Sequence, residues 1–150
     1  MLSSRAPFAY SGAVHFAVLN AMALFVLLYC AWRIVTAPTL AADWRGGACT
    51  CALSFVFGNL VEYWLHRFDM HHPDSRSDHS PVHHRYFTAG SMFIKHFQDA
   101  YTILFSVGFI FRALFFVLPA IGALLNAALF PTCGYFFVAT VASYYLQYEW

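Results

Sequence analysis

The sequence predicts an all-α integral membrane protein: four transmembrane helices in two hairpins, with a cytoplasmic histidine-rich segment between them. Three observations carry that expectation. Of the 150 residues, 61% are hydrophobic and 20% aromatic while only 10% are charged, where an ordinary soluble domain carries about a quarter. The mean hydropathy is +0.59. The apolar residues gather into four runs of membrane-spanning length, and seven of the eight histidines gather in the polar gap between the second and the third.

The first run, residues 13–35, is broken only by His15 and Asn20 before Arg33. It is longer than the core of a secretory signal, so it reads as a span and not as a cleaved leader. Pro38, Asp43, Arg45, Gly46 and Gly47 then read as a short connection, and residues 48–65 form the second span. After the histidine-rich segment, residues 66–100, Arg112 interrupts the next apolar stretch. A guanidinium deep in lipid is costly and one at headgroup level is not. The stretch is therefore expected to divide into an interfacial helix near 101–111 and a third span over 113–130, bent at Pro119. Pro131 separates it from the fourth span, 132–148.

Charge sets the expected orientation. Arg5, Arg67, Arg76, Arg85 and Lys95 fall on one side of this arrangement, Arg33 and Arg45 on the other, and the richer side is cytoplasmic by the positive-inside rule. Both termini and the histidine segment then face the cytoplasm, from a bacterial inner membrane or the endoplasmic reticulum. The net charge of +1 gives nucleic acid nothing to bind. Cys30, Cys49, Cys51 and Cys133 lie in or beside apolar runs and read as small buried hydrophobes, not as a disulfide framework. No fixed-period repeat or second domain is visible, so residues 1–150 form one membrane domain.

The histidines carry the chemistry. His66, His71, His72, His79, His83, His84 and His96 fall within 31 residues, leaving His15 apart at the start of the first span. Neutral imidazole is the commonest metal ligand, and several converging imidazoles suit iron, zinc or copper. The spacings, His66-x4-His71 and His79-x3-His83-His84, let pairs three to five apart face one centre from a helix or its frayed end. Asn59, Glu62 and His66 follow at three- and four-residue intervals and share one face of the second span. A carboxylate one turn behind a ligating imidazole can accept its other N–H and fix its tautomer, which makes Glu62 the expected supporting residue. Thr140, Tyr144 and Gln147 form a similar polar stripe on the fourth span. Asp69, Asp74 and Asp78 have the chemistry of metal ligands, but solvated loop positions and turn formation beside Pro73 explain them equally well. Arg112 reads as a headgroup anchor.

The segment EYWLHRFDMHH followed by HSPVHHRYF, placed directly after the second span, resembles the fatty acid hydroxylase and sterol desaturase superfamily of membrane histidine-box proteins. The resemblance covers residues 59–99, with His66 and His71 in the place of the first box and His79, His83 and His84 in that of the second. It implies a di-iron centre that uses O2 to hydroxylate or desaturate an unactivated C–H bond of a fatty acid, sterol or related lipid. Electrons would come from a donor such as cytochrome b5, ferredoxin or a reductase. The ligands it implies are His66, His71, His79, His83 and His84, with His72 as a further candidate. His96 follows His84 by 12 residues, and Ala89 and Gly90 stand where some relatives carry another histidine. The family's third box lies beyond its fourth span, and this sequence stops at Trp150. The chain therefore reads as a fragment lacking the C-terminal part of the domain, inactive alone, with the activity assigned to the full-length protein.

Two other readings stay open: a membrane zinc enzyme that hydrolyses its substrate with a subset of these histidines, and a non-catalytic membrane protein whose loop binds metal or senses pH.

Overall fold

The computed structural model describes residues 11–38, 40–70 and 104–148. These are almost wholly helical, with no strand among the described residues. Helix α1 spans Gly12–Thr36. Ser11 opens it, its hydroxyl accepting the Val14 N–H at 3.4 Å, which satisfies one of the donors that a helix start leaves free. Ala37 closes it in an extended conformation, as the residue before a proline must.

The expected connection between the first two spans is not there. Helix α2 spans Leu40–Trp64, so Asp43, Arg45, Gly46 and Gly47 are helical and the link shrinks to the few residues around Pro38. Packing explains the two glycines. A Cβ on Gly47 would run into the Phe136 ring, and one on Gly46 would meet Phe130 Cε1 at 3.0 Å. They are the smooth face on which α2 receives aromatic rings, and the loss of about 1 kcal/mol of helix propensity at each is offset by that contact. At its far end α2 does not stop at residue 65 but runs into a π-helical turn, Leu65–Met70.

The expected division at Arg112 is likewise absent. Helix α3, Val107–Arg112, passes without a break through a π-helical turn, Ala113–Val117, into helix α4, Leu118–Ala128. The wide turn has a visible cause. Pro119 has no N–H to donate and its ring crowds the carbonyl four residues back; the chain answers with a looser winding in which the Leu118 N–H reaches the Ala113 carbonyl, five residues back. The Ser106 hydroxyl caps α3 by accepting from Phe109 N–H at 3.2 Å. His15, expected near the membrane surface, ties this entry to α1 by donating from Nε2 to the Phe105 carbonyl at 2.9 Å.

Helix α5, Cys133–Tyr148, is the centre of the bundle and packs on α1, α2 and α4. The core joins Leu19, Ala23, Val26 and Cys30 of α1 to Ile110, Leu114, Phe137, Val138 and Ala142; the four α1 residues recur at steps of four, three and four, one helix face. At the crossing of α4 and α5 the backbones touch, and a Cβ on Gly134 would overlap the Gly122 carbonyl. Asn126 fixes the same corner, its Oδ1 accepting the Gly134 N–H at 2.7 Å.

Outside this core the surface is apolar. Leu24, Phe25 and Leu28 on α1, Leu53, Val56, Phe57 and Leu60 on α2, and Phe116, Ile121 and Leu124 beyond α3 are all exposed, a band that water would penalise and lipid would not. Three helical segments are long and apolar enough to cross a bilayer: Gly12–Thr36, Trp44–Phe68 and Val107–Ala128. Helix α5, with 16 residues, is about 24 Å long, shorter than the hydrocarbon layer of about 30 Å.

Candidate functional site

The two polar stripes meet. Asn59 and Glu62 lie near the end of α2, and Tyr144 reaches them from α5: its hydroxyl donates to Glu62 Oε2 in a short hydrogen bond and lies 3.4 Å from Asn59 Oδ1. A phenol has one proton to give, and it goes to the carboxylate, because a charged acceptor makes the stronger bond. Asn59 is anchored otherwise, donating from Nδ2 to the Phe55 carbonyl at 2.7 Å. The Tyr144 ring stands edge-on to Phe55, centroids 5.6 Å apart at 79°, which fixes the direction of its hydroxyl.

Glu62 and Tyr144 are half-buried, so the pair is partly withdrawn from solvent and its geometry is held by apolar neighbours. One turn further along, the half-buried His66 sits inside the π-helical turn. His66 thus lies on helical backbone continuous with α2. π-helical turns inserted in α-helices recur at functional sites, where they re-aim side chains without ending the helix.

The rest of the fourth-span stripe divides. Thr140 turns inward on its own helix, donating to the Phe136 carbonyl at 2.8 Å, and Gln147 is exposed. Tyr144 alone crosses to α2. Sequence reasoning puts both stripes at one end of the bundle and does not find their contact.

His71, His72, His79, His83, His84 and His96, with Asp74, Asp78, Ala89 and Gly90, lie outside the described residues. Among the described residues no three His, Cys, Asp or Glu side chains form a group that could hold a metal. Of the expected site residues, the structure describes His66 on helical backbone and, one turn behind it, Glu62 held by Tyr144. All four cysteines are free thiols, as expected. Cys30 and Cys133 are buried, but Cys49 is exposed, because the helical start of α2 turns it away from α5. Arg112 is exposed at the end of α3.

No protein family, curated protein or solved structure matches the chain.

Proposed function

We propose that this is a four-span membrane oxidoreductase of the fatty acid hydroxylase and sterol desaturase type, which oxidises a C–H bond of a membrane lipid by hydroxylation or desaturation. Two iron ions, held by His66, His71, His79, His83 and His84 with His72 as a further ligand, would supply the activation of O2 when bound. The observation that supports this most is the face Asn59–Glu62–His66, secured from α5 by Tyr144 and ending in a π-helical turn.

Each of these residues has a task in that reading. Tyr144 holds one oxygen of Glu62, leaving the other to accept an imidazole N–H from His66, so that the opposite ring nitrogen presents its lone pair outward. The exposed apolar faces of α1 and α2 give a lipid substrate lateral access without leaving the bilayer. An external donor, such as cytochrome b5, ferredoxin or a reductase, completes the reduction. In this reading α5 is the fourth span, and the histidine segment and both termini face the cytoplasm of a bacterial inner membrane or the endoplasmic reticulum.

The test is the metal content of the protein purified in detergent after expression from its full reading frame. The expected result is two irons per chain, lost on H83A/H84A. Zinc in their place would favour the hydrolase, and metal content indifferent to both substitutions would favour the non-catalytic, pH-sensing loop.

A further inference from the structure

At the end of the bundle opposite His66, α1 closes in a cluster of aromatic rings around a cation. The Arg33 guanidinium lies 4.9 Å from the Tyr135 ring centroid and 6.0 Å from that of Trp32. One of its N–H groups donates to the Tyr29 hydroxyl at 3.3 Å, and Tyr29 in turn stands edge-on to Tyr135, centroids 6.4 Å apart. Flat contact with rings occupies the faces of a guanidinium and leaves its edge; among the described residues only the Tyr29 hydroxyl accepts from that edge.

Two open clefts meet at this cluster. One, of about 440 Å³, is lined by Trp32, Arg33, Thr36 and Pro131 and reaches Tyr135. The other, of about 370 Å³, starts from Tyr29 and Tyr135 and runs towards the middle of the bundle between α1, α4 and α5, past Phe25, Leu114, Phe115 and Gly122. Both fall in the size range of small-ligand sites. From Arg33 to Phe25 is eight residues of α1, about 12 Å of depth. The first cleft carries the cation Arg33, the second is apolar, and Tyr135 is common to both.

We propose that these clefts together hold one anionic phospholipid, its phosphodiester on the edge of Arg33 and one acyl chain in the apolar cleft. Charge and position both support it. A guanidinium edge binds phosphate oxygens in pairs. Tyr and Trp at the mouth are the residues that settle at headgroup depth. The cleft opens between helix faces whose other residues, Leu24 and Leu28 among them, already face outward as apolar surface. The site lies at the other end of the bundle from Glu62 and Tyr144, and it stands or falls independently of the histidines.

The experiment is native mass spectrometry of the delipidated, detergent-solubilised protein titrated with phosphatidylglycerol or phosphatidylcholine. Wild type should take up one phosphatidylglycerol in preference to phosphatidylcholine. R33Q should weaken that uptake by about tenfold to hundredfold, the share of a charge-assisted contact. R45Q, which removes an exposed arginine at the same end of the bundle, should leave it unchanged. A123F, at an exposed position on the wall of the apolar cleft, should weaken uptake with Arg33 intact, and soluble glycerophosphoglycerol should fail to compete. Equal retention by R33Q and wild type, equal affinity for the zwitterionic lipid, or full competition by the free headgroup would each overturn the proposal. Circular dichroism of R33Q and A123F checks that both variants remain helical.

Discussion

The two ends of α5 are held in contrary ways. At its start, Cys133 and Gly134 are buried, and Gly134 presses its backbone onto Gly122 while Asn126 takes its N–H. At its finish the polar contact with α2 is a phenol reaching a carboxylate, half-buried and hydrogen-bonded. One end admits no added atom; the other admits changes of chemistry with little change of shape. From Tyr135 to Tyr144 is nine residues, about 14 Å along the axis, so a rigid start aims a chemically adjustable finish. A tight anchor remote from a polar contact lets the contact hold its geometry without being buried itself.

The sharpest way to break this contrast is Gly134→Ala. The new methyl meets backbone, which cannot rotate away, and overpacking of that kind costs about 3 kcal/mol or more; unfolding of the detergent-solubilised protein should show loss of the α4–α5 pairing. Asn126→Ala removes the acceptor for the Gly134 N–H and should cost about 1–2 kcal/mol in the same assay. Gly47→Ala meets the Phe136 ring, a side chain that can shift, and Ala recovers about 1 kcal/mol of helix propensity, so the net loss should be near 1 kcal/mol. At the other end, Tyr144→Phe should cost only about 0.6–2 kcal/mol, the measured scale of hydrogen bonds between membrane helices. Glu62→Gln keeps an acceptor for Tyr144 and should change stability least. Yet it should lower metal affinity about 10- to 100-fold if the carboxylate orients His66, measured as metal retained after chelator dialysis. A stability loss at Tyr144 as large as that at Gly134 would erase the contrast.

Much of this fold is legible in the amino-acid sequence. The expected first span, 13–35, lies within Gly12–Thr36, and the fourth, 132–148, overlaps all of Cys133–Tyr148, because hydropathy and flanking prolines mark both without ambiguity. The second and third helices depart from expectation for one reason: local signals are outvoted by tertiary ones. Gly46 and Gly47 look like a turn and are the face of a helix that Phe130 and Phe136 need smooth. Arg112 looks like a boundary and sits where α3 passes into a π-helical turn. Neither π-helical turn has a sequence signature; the one near Pro119 can be rationalised by the missing N–H, while the one at His66 cannot be inferred from residues 65–70. Glu62 is legible as a supporting residue from its spacing to His66. Its partner Tyr144 is not, since the register of α2 on α5 depends on the close approach of Gly47 to Phe136 at the other end of the pair.

The bond between Tyr144 and Glu62 joins residues 82 positions apart. A ribosome adding about 5–20 residues per second makes the acid some 4–16 seconds before the phenol exists. Throughout that interval the Glu62 carboxylate lacks the Tyr144 donor, so the nascent chain passes through a stage in which solvent or the insertion machinery must shelter that group.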